Sequence, residues 1–185
     1  MGSYARTFNE LRRKYMKKVI FDTETVGLNP QKDKIVEIGM IEIDEQNKWT
    51  GNFFHSYVNP KQRIPRIITK INGINWHTIK EAPTFDEIKS SVLDFIQDKE
   101  LISHYMSFNL RMLQHGLGID LENKTIDTLL MTRKVLPKQN ESLPMLVKSL
   151  KLKKNKIFGN PLMQDCCYIW QLHTKLIETL NHTNQ

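Results

Sequence analysis

The chain has little cysteine: two residues in 185, Cys166 and Cys167, which are neighbours and exclude a disulfide framework. That suits a reducing compartment. It also lacks any apolar run near the about eighteen residues of a membrane span, and it lacks the apolar stretch of a secretory signal. The expectation is an internal protein with no membrane partner. Neither standard glycine-rich phosphate loop is present, which argues against a nucleotide-dependent small-molecule enzyme. Acids are the minority charge, 20 Asp and Glu against 27 Lys and Arg, for a formal +7. Such a surplus favours contact with polyanions such as nucleic acid, although a solvated basic surface accounts for it equally well.

A length of 185 residues holds one domain with a proper core. We divide it into a basic N-terminal extension over 1–16, a domain over 17–180 and a frayed tail over 181–185. The first eighteen residues carry Arg6, Arg12, Arg13, Lys14, Lys17 and Lys18 against one acid, Glu10. Two readings stand: a short basic helix packed on the domain or a partner, and an organelle-targeting segment. They correspond to a cytoplasmic protein and, as the alternative, a mitochondrial one.

Val19-Ile20-Phe21 reads as an apolar strand ending at Asp22, 35–44 as a longer alternating strand and 52–58 as a third, so the first half predicts an antiparallel meander. The period then changes. Ile88, Val92 and Ile96 lie on one helical face, introduced by Thr84 and Glu87 in capping-box spacing. Short strands at 101–103 and 125–126 alternate with helices around Phe108 to Leu113, over 128–136, 143–150 and 161–180. Strands first, then strands alternating with helices, predict an α/β fold with a mixed sheet.

Asp22 and Glu24 form the sharpest local feature. Two residues apart on a strand, they aim their carboxylates to the same side, and paired hard oxygens suit Mg²⁺ or Mn²⁺. An acidic strand end facing water fits the same residues.

The runs FDTETVGL at 21–28 and IVEIGMIEI at 35–43 are followed by Asn59-Pro60, by ING at 71–73 and by IDTLLMTRKVLP at 126–137. In that order they resemble the DnaQ-like (DEDDh) 3′-to-5′ exonuclease family, to which proofreading subunits of bacterial replicative polymerases belong. The resemblance implies an RNase H-like fold with a five-stranded mixed sheet flanked by helices. It also implies four carboxylates and a histidine base, acting with divalent metal on the terminal phosphodiester. By that resemblance, Asp22 and Glu24 stand at the first two acid positions and Asp165 at the fourth. The other two positions depart from the pattern: Asn109 replaces the third acid and Asn160 the histidine. An amide brings no charge to a second metal, and Asn cannot take a proton near neutral pH. Asn72 stands where the family usually has another histidine.

The resemblance and its departures imply a nucleic-acid-binding protein with impaired catalysis and one metal ion rather than two, with no ion as the further alternative. Such a chain acts as a structural or binding subunit on single-stranded 3′ ends or RNA, with a protein partner in a replication or ribonucleoprotein complex. The alternative is an active metal-dependent exonuclease that proofreads or trims ends, with its base supplied from elsewhere. His77, His104, His115 and His173 are candidates, each read as structural or exposed. Lys148, Lys151, Lys153, Lys154 and Lys156 form either a basic rim for a phosphate backbone or a solvated loop. Phe53, Phe54, Tyr57 and Trp76 read as core in preference to base-stacking residues, and Trp170 as buried against the sheet.

Overall fold

The computed structural model describes residues 16–183. The basic extension therefore lies outside the described residues, Met16 excepted. Five strands form one sheet: β1 (Lys18–Thr25), β2 (Ile35–Ile43), β3 (Trp49–Tyr57), β4 (Glu100–Ser103) and β5 (Thr125–Asp127), in the order β3-β2-β1-β4-β5. The first three are antiparallel, and in the short turn between β2 and β3 Asn47 takes a left-handed φ of 63°. β4 lies parallel to β1 and β5 parallel to β4, pairings that require helical crossovers. Among the described residues seven helices follow the meander or intervene: α1 (Arg66–Asn72), α2 (Trp76–Ile79), α3 (Phe85–Ile96), α4 (Met106–Leu117), α5 (Thr128–Val135), α6 (Leu143–Ser149) and α7 (Pro161–Thr183). This is the mixed, helix-flanked RNase H-like sheet that the motifs imply. Among the described residues no helix is long and apolar enough to cross a membrane.

Strand alternation sends side chains to two cores. Val19, Phe21, Ile38 and Met40 pack with Ile88, Val92 and Ile96 of α3 and with Met112, Leu113 and Leu117 of α4. Ile20, Ile41 and Ile102 take the opposite face with Met163, Cys166, Cys167 and Ile169 of α7. Gly39 lets α7 come close, because a Cβ there would lie 3.0 Å from Met163 Sδ and 3.4 Å from Cys166 Sγ. The start of α7 is thereby pressed onto β2, beside the end of β1.

Several boundaries differ from the sequence reading. β1 continues through Thr25 instead of ending at Asp22, because β-branched Thr23 and Thr25 keep pairing with Ile38 and Ile35. α1 and α2 were not anticipated. They are one or two turns long, bounded by Gly73 at φ 78° and by Asn75, whose side chain accepts from His77 N and Thr78 N. α7 runs past the expected tail boundary at Asn181 to Thr183, since extending an existing helix costs little even for Asn and His. Phe53 and Trp76, read as core, are 52% and 51% exposed, whereas Trp170 is half-buried with its indole N–H bonded to Asn47 O at 2.7 Å. The capping box forms as read, with Thr84 N donating to Glu87 Oε2 at 2.7 Å.

Candidate active site

Two rows of cross-strand partners run over the face that α7 covers. One is Asp22, Gly39 and His55; the next is Glu24, Glu37 and Tyr57. Asp165, in the second turn of α7, is charge-coupled to both Asp22 and Glu24. The three acids are thus electrostatic neighbours drawn from the two ends of the domain.

Burial and repulsion shape their chemistry. Burial, reinforced by Asp165 and by Glu24, pushes the Asp22 carboxyl up to about 7, against the opposing hydrogen bonds from Thr23 N and Asn109. Burial also raises Asp165 to about 6 and raises Glu24, which Glu37 and Asp165 push the same way while Asn72 opposes. A bound dication would offset that penalty, and three hard oxygens are the donor chemistry Mg²⁺ or Mn²⁺ prefers. As the side chains stand, however, no three His, Cys, Asp or Glu among the described residues form a closed ligand set.

Asparagines hold the carboxylates of this cleft. Asn109 Nδ2 donates to Asp22 Oδ1 at 2.8 Å and to Ser103 Oγ at 2.7 Å, while its Oδ1 accepts from Thr23 Oγ1 at 2.7 Å. The amide oxygen therefore faces Thr23 and the nitrogen grips the carboxylate. Asn72 Nδ2 donates to Glu24 Oε2 at 3.1 Å while its Oδ1 takes Ile74 N at 3.0 Å. Asn160 Nδ2 donates to Glu37 Oε1 at 2.6 Å, and its Oδ1 accepts from Met163 N at 2.9 Å. That last bond makes Asn160 the N-cap of α7, with Pro161 at the tolerated first position. Each of these three asparagines thus donates to a different acid of the cleft.

None of the four histidines weighed from sequence hydrogen-bonds a carboxylate of this cleft among the described residues. Both ring nitrogens of His104 are engaged, Nδ1 with Thr128 Oγ1 at 3.0 Å and Nε2 with Glu141 O at 2.8 Å. His77 and His115 are exposed. His173 is fully buried without a hydrogen-bond partner among the described residues; desolvation, helped by Lys18, pulls it down to about 4 and keeps it neutral. The sequence reading missed His55, whose Nε2 lies 2.7 Å from the same Glu37 oxygen that Asn160 contacts. The sequence signal was its spacing of two from Tyr57, whose hydroxyl also meets Asn160 at 3.3 Å. It missed Asp127 too, which caps α5 through Leu129 N and receives Tyr105 N and Met106 N at the start of α4. The lysines from Lys148 to Lys156 are exposed.

An RNase H-like sheet with acids at the end of its first strand and on its last helix defines a nuclease-type fold. A family model described as exonuclease matches residues 19–156. The DNA polymerase III subunit epsilon of Rickettsia typhi is 36% identical over 172 residues, covering 87% of this chain and 74% of that protein. The subunit of the same name from Buchnera aphidicola subsp. Baizongia pistaciae is 33% identical over 153 residues, 76% of this chain and 62% of the relative. Among solved structures, an exonuclease X bound to 5′-overhanging duplex DNA aligns with TM-score 0.71 at 24% identity, over 87% of this chain and 91% of that one. E. coli exonuclease I with a dT13 oligonucleotide aligns with TM-score 0.78 at 14% identity, over 91% and 42%. The chain belongs to the DnaQ-like exonuclease family.

Proposed function

We propose that this chain is a weakened DnaQ-like exonuclease whose retained role is to hold single-stranded 3′ ends of DNA or RNA. It does so as a binding or structural subunit of a larger replication or ribonucleoprotein complex. One observation carries the reading: the residues at the third-acid and base positions, Asn109 and Asn160, are both spent as hydrogen-bond donors to carboxylates. Neither adds charge, and neither accepts a proton. The missing base alone accounts for about 10² to 10⁴ in rate. Asp22, Glu24 and Asp165 are the residues that would hold a divalent cation, one ion rather than two, supplying positive charge against the phosphodiester. The net +7 and the exposed lysines from Lys148 to Lys156 support a phosphate-backbone contact. That relatives are named as a polymerase subunit supports a protein partner.

A second reading, an active exonuclease, is favoured by His55, which shares a carboxylate oxygen with the residue at the base position. A labelled single strand separates the two. Under the first reading, fluorescence anisotropy shows salt-dependent binding in EDTA, and strand shortening with Mn²⁺ stays close to that of Asp22→Ala protein. Rapid shortening that Asp22→Ala abolishes would establish the second, and absence of binding at moderate salt would remove the first.

A further inference from the structure

The start of α4 carries an aromatic side chain that neither the core nor the carboxylate cluster uses. Tyr105 is 52% exposed, and among the described residues no protein group bonds its hydroxyl. Its backbone is left-handed, φ 70° and ψ 53°, a conformation in which a bulky residue is strained. The strain is held by fixed partners: Asp127 accepts Tyr105 N at 3.2 Å and Met106 N at 3.0 Å, and Tyr105 O accepts Phe108 N and Asn109 N. The ring lies over Phe108, with centroids 6.0 Å apart and planes inclined by 15°, and Phe108 is itself packed on the α3/α4 core. A rigid aromatic is thus presented to solvent with a second ring behind it.

Its place gives it a use. Tyr105 is one helical turn before Asn109, whose amide grips Asp22, and its carbonyl receives the Asn109 N–H. Ring and carboxylate cluster are therefore fixed by the same helix end. Strained conformations persist where surrounding structure enforces them and cluster at binding sites. The backbone N–H bonds would form equally well with a residue that tolerates this φ, so they do not explain an aromatic here.

We propose that Tyr105 is a stacking platform for a nucleobase at or next to the 3′ end of a single strand. The inference rests on the binding reading above and names the subsite within it. Any base offers a π face, so the subsite tolerates sequence, and Phe108 supplies rigidity instead of direct contact.

The test uses the full chain in EDTA, with an oligo-dT carrying 2-aminopurine at the 3′-terminal or penultimate position. Tyr105→Asn is the informative variant, because Asn tolerates a left-handed backbone and keeps the N–H bond to Asp127. Its expected melting temperature is equal to or above that of the natural chain. Its affinity should fall by about 5- to 150-fold, the range that one lost base stack represents. Quenching of 2-aminopurine at one of the two positions should disappear with it, while Tyr105→Trp retains both affinity and quenching. Equal affinity and quenching in Tyr105→Asn and the natural chain would overturn the subsite and leave the binding reading intact. No binding by the natural chain would overturn both.

Discussion

Asn109→Asp supplies the acid that the family resemblance implies at this position, and its cost follows from the geometry. In the natural chain Nδ2 donates to Asp22 Oδ1 at 2.8 Å and to Ser103 Oγ at 2.7 Å. A carboxylate in that space forfeits a hydrogen bond to a charged group, about 1.5–3 kcal/mol. It also sets a second negative charge roughly 3 Å from the first, a repulsion of about 5–6 kcal/mol at an effective dielectric of about 20. Proton uptake by one of the pair limits that repulsion, since two carboxylates so close do not both ionise. The net loss without a divalent cation near neutral pH is expected to be about 2–4 kcal/mol. Mn²⁺ offsets much of it, contributing about 2.7 kcal/mol at a hundred times the variant's Kd. Urea denaturation of both proteins in EDTA and in Mn²⁺ reads this directly. The reasoning is refuted if the variant matches the natural chain in EDTA, or if Mn²⁺ stabilises the two equally.

Asn160→His should lower stability by about 1 kcal/mol in a thermal melt, because the Oδ1 bond to Met163 N that caps α7 is lost. Gly39→Val should cost about 1–3 kcal/mol by pushing α7 from the sheet, and should weaken cation binding more than Val substitution at an exposed site, measured by Mn²⁺-dependent melting. The pH dependence has a definite sign. Asp22 at about 7 and Asp165 at about 6 hold protons that the unfolded chain releases near 4, so without a cation their contribution is full below about pH 4 and declines as pH rises to 7. The slope is at most about 1.4 kcal/mol per pH unit for each proton. Melts from pH 4 to 7 should therefore fall less steeply in Asp22→Asn protein than in the natural chain, and should flatten in Mn²⁺.

The fold was legible because its elements announce themselves: an apolar first strand, an alternating second, a capping box at Thr84 and Glu87, and motifs in a fixed order. The pairing of Asp22 with Glu24 followed from the period of a strand. What stayed hidden depends on tertiary placement. The sequence showed that Asn72, Asn109 and Asn160 replace expected residues, but not that each amide turns its nitrogen to a separate acid. His55 was overlooked because β3 reads as a plain meander strand, and only the register with Glu37 on β2 brings its ring beside Asn160. Tyr105 was passed over, since its left-handed backbone is visible only in the fold, where Asp127, 22 residues later, accepts its N–H.

On the proposed reading, Asn109 and Asn160 stand where the family resemblance implies an acid and a base. A 3′-end-labelled single strand, incubated in Mn²⁺ with the natural chain and with Asn109→Asp/Asn160→His protein, compares the two states of the cleft. The double variant should shorten the strand at least about 10²-fold faster, with the natural chain close to Asp22→Ala background. Equal and substantial rates in the natural chain and the double variant would contradict it.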